Sequence, residues 1–217
     1  MRIPSLALPL FIVGSAALYT GATQQSGAPR SLESSSLESH EGLTITARPW
    51  TDAGLYKEKF PKKSPYAAGI LAMQVAFRND SNESMKVALD RIRLSFRIGE
   101  DIRQEVQALT ADQVADGILK PGGKDPTKRT TIPLPVSIPK TSKDKQWREL
   151  QQQAEIAGVP ASVIAPHGTV TGLLYFDMQG QFDLLSGAHL YIPDVMVMEN
   201  NRSLTYFEID LSRSGAK

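Results

Sequence analysis

The sequence contains no cysteine. Disulfides, thiolate zinc sites, iron–sulfur clusters, cysteine nucleophiles and the lipid-bearing cysteine of a bacterial lipoprotein are therefore excluded. Histidine is nearly as scarce, with His40, His167 and His189 the only imidazoles in 217 residues. A surplus of one charge is missing too: 24 basic against 23 acidic side chains leave a net charge of +1. A general nucleic-acid binder carries a basic surplus gathered on one face, so no nucleic-acid partner is expected. The longest apolar run, residues 6–18, falls short of the roughly 20 residues that span a bilayer. What is present is ordinary: 41% apolar and 22% charged side chains, enough for one sizeable core at this length.

Residues 1–22 have the three parts of a secretory signal. Arg2 is the positive start, residues 6–18 the apolar stretch, and Thr20-Gly21-Ala22 the small-residue cleavage site. An uncleaved anchor is the alternative, and the shortness of the run favours cleavage. The mature chain is then expected in a bacterial periplasm or outside the cell, without a stable membrane span. Residues 23–41 are rich in Ser, Gln and Glu and bury too little to offset the entropy of ordering, so a flexible leader with a solvated His40 is expected. The folded body is expected at 42–213.

That body opens with an alternating strand, Gly42 to Arg48. A loop at 49–65 follows, with Trp50, Tyr56 and Phe60 set among Lys57, Lys59, Lys62 and Lys63. Aromatics among lysines can bind sugars, anionic polymers or single strands. The simpler reading, favoured because one such loop is no platform, is that the rings tack the loop to the core. Residues 71–98 read as two long strands joined by the polar turn Asn79–Ser84. Leu71, Met73, Val75 and Phe77 face inward, as do Met85, Val87 and Leu89. The phase then changes to Ile92, Leu94, Phe96 and Ile98, which predicts a β-bulge at Asp90-Arg91. Arg91, Arg93 and Arg97 form an outward basic stripe, able to bind an acidic partner or to pair with Glu208 and Asp210 on a neighbouring strand.

A helical and proline-rich insertion is expected at 99–160. Thr110 and Gln113 make a capping box for a short helix that ends at Pro121-Gly122-Gly123. That glycine pair lacks the spacing of a phosphate loop and reads as a turn. Residues 124–140 are extended and proline-rich. Trp147, Leu150, Ala154 and Ala157 recur at helical spacing over 142–158, closed by Gly158 and Pro160. After the turn Pro166-His167-Gly168, strands are expected at 169–177, 189–198 and 204–211, with Pro193 at an edge or bulge. Six to eight short strands and few helices predict a mainly β, two-sheet body.

Two stretches, VAFRNDSNESMKVALDRIRLSF and IAPHGTVTGLLYFDMQ, together resemble the immunoglobulin-like (telokin-like) extracellular sandwich domains of bacterial secreted proteins. The resemblance runs from Gly42 to Ser212, with 99–160 as a longer helical insertion. It implies an immunoglobulin-like two-sheet β-sandwich, and a family without shared catalytic residues to carry over.

Chemistry is thin. A Ser–His–Asp hydrolase would depend on His167 or His189, and neither lies beside a G-x-S-x-G turn. His167, His189, Asp177 and Asp183 match no metal-ligand spacing, and DMQGQFD lacks the alternating oxygens of a calcium loop. The carboxylate pairs Asp177 with Asp183 and Glu208 with Asp210 read as surface groups. No metal and no cofactor are expected. The Asn-x-Ser sites at Asn79, Asn82 and Asn201 read as turn chemistry rather than glycan acceptors. The function expected is a non-enzymatic interaction or structural module, meeting an unknown protein or envelope polymer through its edge strands and arginine stripe. The alternatives are a carbohydrate- or polymer-binding module using Trp50, Tyr56 and Phe60, and a cryptic hydrolase using His167.

Overall fold

The alternation that begins at Leu43 does what period-two patterns do: Leu43, Ile45 and Ala47 are fully buried, as are Leu71, Met73 and Val75 in a second stretch. The computed structural model describes residues 35–98, 102–120 and 142–212. Its strands are β1 (Ser36–His40), β2 (Leu43–Pro49), β3 (Ile70–Asn79), β4 (Met85–Val87), β5 (Arg93–Ile98) and β6 (Ile102–Gln107). There follow β7 (Val163–Ile164), β8 (Thr169–Asp177), β9 (His189–Ile192), β10 (Val195–Val197), β11 (Arg202–Ser203) and β12 (Phe207–Asp210). The helices are α1 (Ala53–Tyr56), α2 (Ala111–Leu119) and α3 (Ser142–Ala157). The expected signal segment, residues 23–34 of the expected leader, the helix end at Pro121-Gly122-Gly123 and the whole proline-rich stretch 124–140 lie outside the described residues.

The fold is mainly β, in three antiparallel sheets of four strands ordered β1-β2-β3-β8, β11-β10-β4-β7 and β12-β9-β5-β6. The second and third sheets run end to end. Strand β4 leads into β5, β9 into β10, and β11 into β12, so the two orders match at three of their four positions, β7 and β6 being unconnected. Along the line between them every through-going strand changes phase. The buried set passes from Val87 to Ile92, from Ile192 to Val195 and from Leu204 to Phe207, an odd interval each time. Backbone bonds still cross near the break, from Ala88 N–H to the Asp194 carbonyl at 3.0 Å and from Leu204 N–H to the Val195 carbonyl at 2.8 Å.

The phase change expected at Asp90-Arg91 is therefore real, but its device differs. A single turn of 3₁₀-helix, Leu89–Arg91, separates β4 from β5 in place of a β-bulge. The strands expected as one hairpin over 71–98 also part company, because β3 pairs with β2 and β8 while β4 pairs with β10 and β7. The Asn79–Ser84 turn carries the chain from one sheet to another. Asn79 makes that crossing rigid. Fully buried, its amide donates to the carbonyls of Glu83 (2.7 Å), Ala165 (3.1 Å) and Ile164 (3.3 Å). Its oxygen accepts from Ser81 N–H at 2.9 Å and from Ser81 Oγ at 2.7 Å.

One core fills the space shared by all three sheets, with Phe77, Phe176 and Phe207 among its largest members. A second core lies on the other face of the first sheet. There Ile70, Ala72, Leu173 and Tyr175 meet Leu150 and Ala154 of α3 and Val114, Ala115 and Ile118 of α2. Burial on both faces explains why β3 begins with an unbroken apolar run. The capping box forms as expected, with Thr110 N–H donating to Gln113 Oε1 at 2.8 Å and Gln113 N–H donating to Thr110 Oγ1 at 3.4 Å. Helix α3 ends over β8 at Gly158. A Cβ on Gly172 would run into the Gly158 carbonyl and the Val159 backbone, so this crossing requires glycine.

Three further expectations change. Residues 36–40, assigned by composition to a flexible leader, pair with β2 throughout as β1. The His40 ring stacks on Phe207 at 3.7 Å instead of standing in solvent. The strand expected at 189–198 is two strands in different sheets, parted at Pro193-Asp194, where a missing N–H is least costly.

Candidate interaction surface

The loop aromatics do not form a binding platform. Trp50, Tyr56 and Phe60 are 9%, 0% and 2% exposed and belong to the second core. Tyr56 closes the loop onto β3: its hydroxyl donates to the Trp50 carbonyl and accepts from Ala72 N–H, both at 2.9 Å. Burial pushes the Tyr56 phenol well above the usual tyrosine range. The lysines stay outside, with Lys62 pairing to Glu149 of α3 at 2.7 Å.

The arginine stripe is divided. Arg91 stands on the 3₁₀ turn and pairs with Asp194 at 2.9 Å, bridging the break between the second and third sheets. Arg93 and Arg97 share one face of β5. The partner of Arg93 is Glu105 of β6, at 2.9 Å, and not the expected Glu208 or Asp210. Glu208 instead lies 3.9 Å from Arg103, while Asp210 is opposite His189 in the β9–β12 register. Arg97 has no ion pair among the described residues and stands directly opposite Arg103 across the β5–β6 ladder, a like-charge pair that costs stability.

Arg103 and Glu105 were not legible as site residues, because 99–119 reads as helical insertion and β6 has almost no apolar residue. The alternation of Ile102 with Val106 is the only strand signal there. Together Arg97, Arg103, His189 and Glu208 surround a pocket of about 160 Å³, into which the buried Ser95 also faces. Ser95 Oγ accepts from Arg103 Nη2 at 3.3 Å. Among the described residues β6 is the outermost strand of its sheet, exposed along nearly its whole length, with Ile102 63% and the adjacent Ile98 39% exposed.

No protein-family model matches this chain, and no curated protein matches it. Among solved structures, it is similar to a functionally unknown protein from Listeria monocytogenes EGD-e. The identity is 16% and the TM-score 0.34, over 73% of this chain and 70% of that one. That likeness carries neither fold nor function across.

The remaining candidates are scattered. The His167 ring bonds the Asn82 amide oxygen at 2.8 Å, so its observed partner is neither a serine nor a carboxylate. Asp177 accepts from Gln179 N–H in a turn. Among the described residues no three His, Asp or Glu side chains converge to hold a metal ion, and no helix is long and apolar enough to cross a membrane. Of the three Asn-x-Ser sites, Asn79 is fully buried and closed to a glycan in the folded protein. A second groove, of about 470 Å³, runs between the C-terminal end of α3 and the 3₁₀ turn, lined by Leu89, Leu109, Val159 and Tyr175.

Proposed function

We propose that this chain is a secreted or periplasmic, immunoglobulin-like β-sandwich that acts as a non-enzymatic interaction module. The observation that carries the reading is β6, an edge strand exposed along nearly its whole length beside the outward Arg93, Arg97 and Arg103. An open edge offers main-chain hydrogen bonds to an added strand, and neighbouring charges select which strand. The signal-like residues 1–22 support export. Polymer binding loses its support, since the aromatics that would carry it are in the core. The hydrolase loses its support in the Asn82 partner of His167. The test is affinity capture from native bacterial envelope with the full chain, run beside R93A/R97A and beside Glu105→Pro. Loss of recovery with the edge-blocked variant is expected, and undiminished recovery with both variants contradicts the reading.

A further inference from the structure

The hydrogen-bond parity of β6 defines which of its residues can meet another strand. Ala108 N–H donates to the Ile92 carbonyl at 3.1 Å, and this pair continues the register in which Arg93 faces Gln107 and Ile98 faces Ile102. Bonded pairs alternate along an antiparallel ladder. Ile102, Gln104 and Val106 therefore direct their N–H and C=O groups to β5, while Arg103, Glu105 and Gln107 direct theirs away from the sheet. Among the described residues no further strand pairs with that side.

A second copy of β6 meets the same condition, because an isologous contact brings outward residues against outward residues. Centring the pair on Arg103 opposes arginine to arginine. Centring it on Glu105 opposes glutamate to glutamate. Centring it on Gln104 opposes Arg103 to the partner's Glu105 twice, with complementary charge each time. Wider shifts leave fewer residues paired.

The Gln104-centred register also adds a carboxylate beside Arg103 and covers an apolar side chain that the single chain leaves exposed. Arg103, opposed to Arg97 in the ladder, has Glu105 at 3.5 Å and Glu208 at 3.9 Å within its own chain, and the partner's Glu105 adds a carboxylate on its far side. Ile102, 63% exposed, comes against the partner's Val106 on the opposite face. We propose that β6 pairs antiparallel with β6 of a second copy, joining the two β12-β9-β5-β6 sheets into one, in the register that sets Arg103 against the partner's Glu105.

The inference rests on the interaction-module reading and names its partner. Its test is sedimentation of the full chain across a concentration series, with circular dichroism to verify that each variant is folded. The wild type is expected to dimerise. R103E and E105R each place like charges at two symmetric positions and are expected to weaken the dimer about tenfold or more. R103E/E105R together restore opposite charges and are expected to restore the dimer. A monomeric wild type overturns the proposal, as does a dimer indifferent to the single reversals or a double variant that stays monomeric. A monomeric wild type that still captures an envelope partner through β6 removes self-pairing alone and leaves the interaction-module reading standing.

Discussion

Replacing Asn79 tests the crossing between the first and second sheets more sharply than any change in the apolar core. Its side chain is fully buried and serves three carbonyls and two Ser81 donors at 2.7–3.3 Å. Two amide hydrogens cannot serve three acceptors equally, so the two shorter contacts, to Glu83 and Ala165, carry most of the donor side. At about 1 kcal/mol for each of roughly four effective bonds, less what water can recover at the partly buried partners, Asn79→Ala costs about 3 kcal/mol. Asn79→Asp keeps the shape but points a carboxylate at three carbonyl oxygens, and at neutral pH it costs more than alanine. Burial and those carbonyls raise the folded pKa of the introduced acid above its unfolded value. The folded variant then binds the proton more readily, so its deficit relative to wild type shrinks as pH falls through the window between the two values. Urea unfolding followed by circular dichroism measures both, as a fall in midpoint with an unchanged slope. An alanine variant within about 0.5 kcal/mol of wild type refutes the bracket. So does an aspartate variant that is the milder of the two at neutral pH.

Tyr56→Phe strands the Ala72 N–H and the Trp50 carbonyl, and is expected to cost about 2 kcal/mol in the same assay. Tyr175→Phe, whose hydroxyl reaches only the Ala154 carbonyl at 3.3 Å, is expected to be the milder change, and the reverse order contradicts the role given to Tyr56. Glu41 accepts from Thr205 N–H at 2.8 Å and from Arg202 at 3.0 Å. The Thr205 bond, with the Arg202 charge, holds its carboxyl below the usual range. Its stabilisation is therefore present at neutral pH and lost as pH falls through that lowered value. Thermal unfolding of wild type and E41Q is expected to differ near neutrality and to converge in acid, and a gap constant with pH would discount the bond.

What the sequence showed and what it hid divide along a physical line. Periodicity reports which side of a strand is buried, so Thr169–Asp177 was legible to the residue, and the Thr110–Gln113 box marked the start of α2. Periodicity does not report which strand lies alongside. The inward residues of β3 and β4 alternate as a hairpin's would, and Asn, Asp and Ser suit a crossing between sheets as well as a tight turn. The phase change at Asp90-Arg91 was visible, but its cause was not: three strands break together, and only their alignment in space reveals it. The arginine partners were missed because Glu105 sits on a strand too polar to read as one. The loop aromatics carried both readings in sequence, and burial decided between them.

Both proposals require that β6 present an open edge to another strand. Residue-resolved amide hydrogen exchange across a dilution series measures this directly. In dilute solution the amides of Gln104 and Val106 should be protected by β5, while those of Arg103, Glu105 and Gln107 exchange freely. As concentration rises, self-pairing requires the Arg103 and Glu105 amides to slow together. Arg103, Glu105 and Gln107 amides that are protected even in dilute solution would show the edge already covered within one chain and contradict the claim. Amides that stay unprotected at every concentration, and with envelope extract added, would leave the edge without a partner and contradict it equally.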